Sequence, residues 1–227
     1  MNNKELEKIS LFQGLSAENY TELADIVVDR QLQRGQFIFN EGDEATGFYV
    51  LISGRIKIYK LSFDGKEQIL HILGPGEPFA EVAVFSGMAY PANAMALEKS
   101  TVFFFAKDAF VRLIGQNPSL AMNMLATLSL RLKQFTHMIE ALSLKEVPGR
   151  LATHLLLLSK QNKGEMSVKL NITKTQLASL LGTIPETMSR ILTKMNKQRL
   201  IESKGADITL LDLDGLDELA TGLRKLV

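Results

Sequence analysis

Glu186, Arg190 and Lys194 stand four residues apart in the stretch Pro185-Glu186-Thr187-Met188-Ser189-Arg190-Ile191-Leu192-Thr193-Lys194-Met195. Each can address a different part of a nucleic acid: glutamate accepts from the N4 amine of cytosine, arginine forks onto O6 and N7 of guanine, and lysine reaches a phosphate. To act together they must share a surface. Met188, Ile191, Leu192 and Met195 recur at spacings of 3, 1 and 3, so a helix starting near Pro185 buries those four and turns Glu186, Arg190, Thr193 and Lys194 outward. Two plainer roles compete with base reading. Glu186 can close a capping box with Thr183, and Arg190 can be an ordinary solvated helix residue.

A second helix must hold the first in place. Thr173 with Gln176 three residues on forms a capping box, Leu177, Leu180 and Leu181 give one apolar side, Gly182 allows a sharp exit, and Pro185 tolerates the missing N–H of a first turn. Charge adds context. From Lys145 to Lys204 there are eleven Lys and Arg against four Asp and Glu, a net of +7, inside a chain whose total is only +1. One basic module within a near-neutral chain is the footprint of a phosphate-facing surface.

Composition excludes several chemistries. The 227 residues contain no cysteine, which removes disulfides, thiolate nucleophiles, cysteine-ligated iron–sulfur clusters and zinc–thiolate sites. Glu81 has no paired carboxylate, and there is no glycine-rich phosphate loop or serine–histidine constellation, so an enzyme is disfavoured. The N-terminus is charged (Lys4, Glu5, Glu7, Lys8) and no run approaches the roughly 18 apolar residues of a membrane span. A cytoplasmic protein is expected. With 46% hydrophobic residues, the chain can bury one large or two small cores.

Taken in order, residues 4–28 read as two helical pieces, the second capped by Ser16. Six β-rich runs follow, at 36–40, 47–52, 55–61, 68–73, 92–97 and 101–106, with Asp64-Gly65 as a hairpin signal. Evenly spaced short strands predict an antiparallel barrel or roll. Asp108 opens a short helix to Gly115, and Pro118 a long one to Glu146, about 43 Å at 1.5 Å per residue. Along it Ala121, Leu125, Leu128, Leu132, Phe135, Ile139 and Leu142 alternate spacings of 4 and 3, an a/d seam suited to a second copy of the chain. Packing against the roll alone is the alternative, one that Met122, Met124 and Met138 off the seam also serve. Val147-Pro148-Gly149 reads as a helix break and hinge. Beyond it come an apolar helix at 150–159, a short strand at 166–170, the helix pair, a β-wing around Ser203-Lys204-Gly205, and an amphipathic helix at 213–227 with no derivable role. The expected division is a sensory roll at 1–117, a dimerisation helix at 118–146, a winged helix-turn-helix at 147–212 and a helical extension at 213–227.

This layout resembles the Crp/Fnr family of bacterial transcription regulators over nearly the whole chain. The most specific pieces are Phe79-Ala80-Glu81-Val82-Ala83-Val84-Phe85 after Gly74-Pro75-Gly76, Val147-Pro148-Gly149-Arg150, and Glu186-Thr187-Met188-Ser189-Arg190. The last is similar to the E-x-x-S-R recognition helix of the Fnr-like and Dnr-like branches. The resemblance implies an α+β protein with a cyclic-nucleotide-binding-like antiparallel roll, acting as a homodimer on double-stranded DNA together with RNA polymerase. It implies base contacts by Glu186 and Arg190, with Thr173, Thr175, Pro185, Thr187, Ser189 and Lys194 also at the DNA surface. Pro185 stands where the cyclic-AMP receptor has a third base-contacting arginine, so the implied palindromic operator has TTGA-like half-sites rather than TGTGA.

The implied effector pocket comprises Phe79, Ala80, Glu81, Val82, Pro91, Ala92, Leu128, Leu132, Phe135 and Thr136. The family binds cyclic AMP through a glycine–glutamate pair and an arginine–serine pair, and here Ala80 replaces the glycine while Pro91 and Ala92 replace the arginine and serine. No arginine occurs between Arg55 and Arg112, and a buried phosphate needs a forked partner. An apolar pocket unsuited to cyclic AMP is therefore expected. Dnr-like and other nitrosative-stress regulators, to which the chain is similar, point instead to haem sensing nitric oxide, with His71 and His137 as candidate ligands; methionine and tyrosine stay open, and His154 is expected to be a packed core residue. A ligand-binding scaffold whose helix pair docks protein is the competing class, distinguished by its weaker salt dependence.

Overall fold

In the computed structural model, which describes residues 3–81 and 86–226, the chain forms two compact units, one running to Lys133 and one from Gln134. The first opens with helices α1 (Asn3–Leu6) and α2 (Ala17–Ile26). Ser16 caps α2 as expected, accepting from the backbone N–H of Asn19 while the Asn19 side chain accepts from the backbone of Ser16.

Eight strands follow: β1 (Val27–Leu32), β2 (Phe37–Phe39), β3 (Gly47–Ser53), β4 (Ile56–Leu61), β5 (Glu67–Leu73), β6 (Pro78–Phe79), β7 (Asn93–Ala96) and β8 (Ser100–Ala106). They pair antiparallel into two four-stranded sheets, ordered β1-β8-β3-β6 and β2-β7-β4-β5. The expected hairpin at Asp64-Gly65 joins β4 to β5, closed by the N–H of Ser62 donating to Lys66. Sequence reading missed β1 and β6. It carried the second helix to about residue 28, whereas α2 ends at Ile26 and β1 is an edge strand whose middle residues are all exposed, so it lacks the alternation that signals a strand.

The central strands β3 and β8 are covered on both faces. Tyr49, Leu51, Val102 and Phe104 point into the roll with Phe39, Phe79 and Tyr90, while Phe48, Val50, Phe103 and Phe105 point to a second core built with Leu6, Phe12 and Leu23. Two-sided burial explains why both read as near-continuous apolar runs. Each fully buried Phe or Leu contributes on the order of 1.5–3 kcal/mol, and that second core also takes in Phe110 and Leu113 of α3 (Lys107–Gln116) and Leu120 and Met124 of α4 (Pro118–Leu144).

Helix α4 is 27 residues, about 40 Å. Leu120 and Met124 are its buried residues. Of the seam, Leu125, Leu132 and Ile139 are 56%, 67% and 65% exposed, and Ala121, Leu128, Phe135 and Leu142 are half-buried. Met122 is also 64% exposed, so it does not serve as a plug against the roll, whereas Met124 does.

The second unit holds α5 (Val147–Gln161), β9 (Ser167–Lys169), α6 (Lys174–Leu180), α7 (Pro185–Lys197), the wing strands β10 (Ile201–Lys204) and β11 (Asp207–Leu210), and α8 (Leu213–Thr221). Val147-Pro148-Gly149 is not the break: the chain leaves helix at Lys145 and Glu146, and Pro148 sits in the first turn of α5. A first-turn proline removes an N–H that has no helical partner anyway, so it starts this helix instead of ending the previous one. Gly149 has a packing role, since a Cβ there would lie 2.8 Å from the carbonyl oxygen of Leu219. Helix α8 thus lies on α5 and adds Leu216, Leu219 and Ala220 to the core of the winged unit, which gives the C-terminal helix its role.

Candidate nucleic-acid interface and effector pocket

Local signals build the helix pair. Thr173 Oγ1 accepts from the N–H of Gln176 at 3.2 Å, and Gln176 Oε1 accepts from the N–H of Thr173 at 2.8 Å. The chain then turns through Gly182, at φ +65°, a conformation glycine reaches without steric cost. Pro185 begins α7, and Met188, Ile191, Leu192 and Met195 are all buried, as their spacing requires. Glu186, Ser189, Arg190, Thr193 and Lys194 are exposed, and Thr187 and Pro185 half-buried.

Glu186 does not close a capping box with Thr183. The N-cap of α7 is Ile184, and no side chain caps it. Among the described residues the side chains of Glu186, Arg190 and Lys194 make no hydrogen bond or ion pair, so their charged groups are available to an external partner. Thr175 is exposed at the start of α6, and Thr173, though engaged as a cap acceptor, keeps a hydroxyl proton to donate. One positioning residue was not anticipated. Asn196 near the end of α7 donates to Leu192 O and Ser203 Oγ, both at 2.7 Å, and accepts from the N–H of Ser203 at 2.8 Å, tying the helix to wing strand β10. An asparagine in the last turn of a helix, where its side chain can bond nearby backbone, is the signal that could have found it.

The roll contains the second site. Phe79 is buried and stacks on Tyr49 with ring centroids 5.2 Å apart. Burial, with Tyr90 beside it, pushes the Tyr49 phenol up to about 12. Ala80 holds φ +65°, an uncommon conformation for a residue with a Cβ. Glu81 is only 6% exposed. Its Oε1 accepts from Arg131 Nη1 at 2.6 Å, and Arg131 Nη2 donates to Pro78 O at 2.6 Å.

This ion pair adds a buried charged pair to the residues expected to form an apolar pocket. The roll does lack an arginine between Arg55 and Arg112, but α4 supplies one from outside that window. An unpaired buried carboxylate is costly, and a guanidinium with two good acceptors offsets that cost. Arg131 is the sole arginine of residues 118–144 and lies between Leu128 and Leu132, which is where sequence could have pointed to it. Ala92 is buried and Pro91 exposed, its carbonyl accepting from Lys60 Nζ at 2.9 Å, with Lys60 also paired to Glu41. Leu128 is half-buried and Leu132 exposed on the first unit's part of α4; Phe135, half-buried, and Thr136, exposed, belong to the second unit's part. Val82 lies outside the described residues.

The histidines differ. His71 Nε2 is 2.8 Å from Glu77 Oε2. His137 is exposed, with Nδ1 3.7 Å from Glu140. Burial pushes the His154 imidazole below its ordinary value. No cluster of three or more His, Asp or Glu suited to a metal occurs among the described residues, and no helix among them is long and apolar enough to cross a membrane.

Comparison with known proteins identifies the two domains in which these residues lie. Residues 29–117 match the cyclic nucleotide-binding domain family and residues 149–219 the Crp-like helix-turn-helix domain family. The chain is 30% identical to a cyclic AMP receptor protein of Thermus thermophilus over 94% of its own length and 97% of that protein's. It is 33% identical to an anaerobic regulatory protein of Haemophilus influenzae, covering 92% and 82%. The crystal structure of DNR from Pseudomonas aeruginosa is 36% identical over 94% and 95%, with a TM-score of 0.50. Members of this family are regulators rather than enzymes. The chain, with its effector-binding roll and its DNA-binding helix-turn-helix, belongs to the Crp/Fnr family of transcription regulators.

Proposed function

We propose that the chain works as a homodimer on an inverted-repeat operator with TTGA-like half-sites, under an effector held by the roll that is not cyclic AMP. The observation that carries this proposal is the outward face of α7: Glu186 and Arg190 are exposed one turn apart, without a partner among the described residues, within the basic part of the chain. Arg190 forks onto guanine, Glu186 accepts from cytosine, and Ser189, Thr187 and Pro185 border the base edges. Thr173, Thr175 and Lys194 hold phosphates. The exposed seam of α4 supports a second copy, because an apolar stripe of that length left to water in one chain is what a twin helix covers. Two-fold symmetry then sets the recognition helices one turn of DNA apart, about 34 Å.

The effector follows from the roll. Several relatives are named for cyclic AMP, yet Pro91 and Ala92 offer the cyclic phosphate no guanidinium, and Arg131 is already held by Glu81. Phe39, Tyr49, Phe79, Tyr90 and Phe104 pack together as an aromatic core of the roll, beside which a flat hydrophobic cofactor would find apolar surface. We extend the proposal to the nitrosative-stress branch, with haem as the first candidate and nitric oxide as the gas, on the likeness of Glu186-Thr187-Met188-Ser189-Arg190 to the Dnr-like recognition helix. Bound haem would supply an iron that takes a diatomic ligand. His71 is the ligand to test first: Glu77 occupies its Nε2, so either Nδ1 takes the metal or the carboxylate is displaced. Exposed His137 is the second. Arg131 carries pocket occupancy to the helix that bears the seam, and the active dimer acts in the cytoplasm with RNA polymerase.

The test is one sample titrated in turn with haemin, nitric oxide and cyclic AMP, its absorption spectrum and its operator affinity read together. A shifted haem spectrum lost in His71→Ala, with operator affinity responding to the gas, is expected. Tightening of operator binding by cyclic AMP alone, with no haemin bound, would overturn the assignment of effector.

A further inference from the structure

Ile184 puts a half-exposed apolar side chain at the start of the helix that carries Glu186 and Arg190. It is the N-cap of α7, where Ser, Thr, Asp or Asn would satisfy an orphan N–H, yet no side chain caps this helix start. Its own side chain is 48% exposed although four other apolar residues of the same segment, Met188, Ile191, Leu192 and Met195, are buried. The next residue, Pro185, has no N–H, so the first turn of α7 lacks one backbone donor that a phosphate could use, and its one hydroxyl is that of Thr187. By contrast α6, one turn of chain earlier, carries a complete capping box. The start of α7 is thus apolar and open, one residue from Pro185 and two from exposed Glu186.

In the major groove the only apolar group on any base edge is the C5-methyl of thymine. We infer that Ile184, with Pro185 beside it, reads a thymine methyl in the half-site next to the pair addressed by Glu186 and Arg190. It rests on α7 being the helix that enters the groove. The methyl is buried against the exposed part of an aliphatic side chain, at a helix start that has no side-chain cap.

Deoxyuridine differs from thymidine by that methyl alone, which makes the test direct. Full-length protein, with and without haemin and nitric oxide, is titrated onto symmetric TTGA-type duplexes in which one thymine per half-site at a time is replaced by uracil. At one position the affinity per half-site should fall about fourfold, the effect of withdrawing one buried methyl group. Ile184→Ser, which restores a capping hydroxyl and so threatens the fold least, should bind the thymine operator more weakly and show no thymine–uracil difference at that position. Unchanged binding at every uracil position, by a protein that still prefers the operator to a scrambled duplex, would overturn the inference and leave the DNA-reading role of α7 standing. A uracil effect equal in the parent and in Ile184→Ser would also overturn it. No preference for the operator in any state would overturn the reading of α7 itself.

Discussion

Arg190 has the side-chain role most open to direct test. If it forks onto guanine, Arg190→Ala should cost about 1–3 kcal/mol on the matched operator and relax the preference at that guanine. Titration of matched and guanine-substituted duplexes separates this from a phosphate contact, which would weaken all sequences alike. Arg131 calls for a different measurement, because it acts inside the fold. Arg131→Met strands Glu81 at 6% exposure and should cost about 3–5 kcal/mol in urea denaturation, while adding Glu81→Leu should recover most of that loss. An additive double variant would show that the pair is not coupled. His154 makes the winged unit pH-sensitive. Its folded pKa is depressed by burial, so above the ordinary 6.5 both states are neutral, and below it the unfolded chain binds a proton that the folded chain refuses. Stability should therefore decline as pH falls through 6.5, and His154→Gln should flatten the decline in urea midpoints measured between pH 7.5 and 5.

At the scale of elements, the seam of α4 is decisive. Leu132→Asp places a charge in the centre of the stripe and should give monomers with weak operator binding in sedimentation and titration; an unchanged dimer would refute the seam. Elements with strong local signals were legible beforehand: the capping boxes at Ser16 and Thr173, the hairpin at Asp64-Gly65, the amphipathic face of α7, and the wing around Gly205. Those without one were not. Edge strand β1 shows water nearly every side chain and so has no period, and β6 is two residues long. The helix break was misplaced by two residues because Pro148 obeys the rule for helix starts rather than that for helix breaks. Arg131 was missed for a different reason: a window drawn around the roll cannot see a partner that a helix delivers from 50 residues away.

Taken whole, the molecule separates its tasks by charge. The basic block from Lys145 to Lys204 lies within the unit that carries the helix pair, while the flanking residues 1–144 and 205–227 each carry a net of −3. That polarity favours one orientation toward a polyanion and predicts binding that weakens steeply with salt. The central claim is that two such modules, held as a symmetric pair, each read half of an inverted repeat. It is tested most directly by titrating the full-length chain, in its DNA-binding state, onto a duplex with two TTGA half-sites and onto the same duplex with one half-site scrambled, across a range of salt. Two chains per intact duplex, a loss of tenfold or more on scrambling, and a log–log salt slope of several units are predicted. One chain per duplex with equal binding to both sequences would contradict the account.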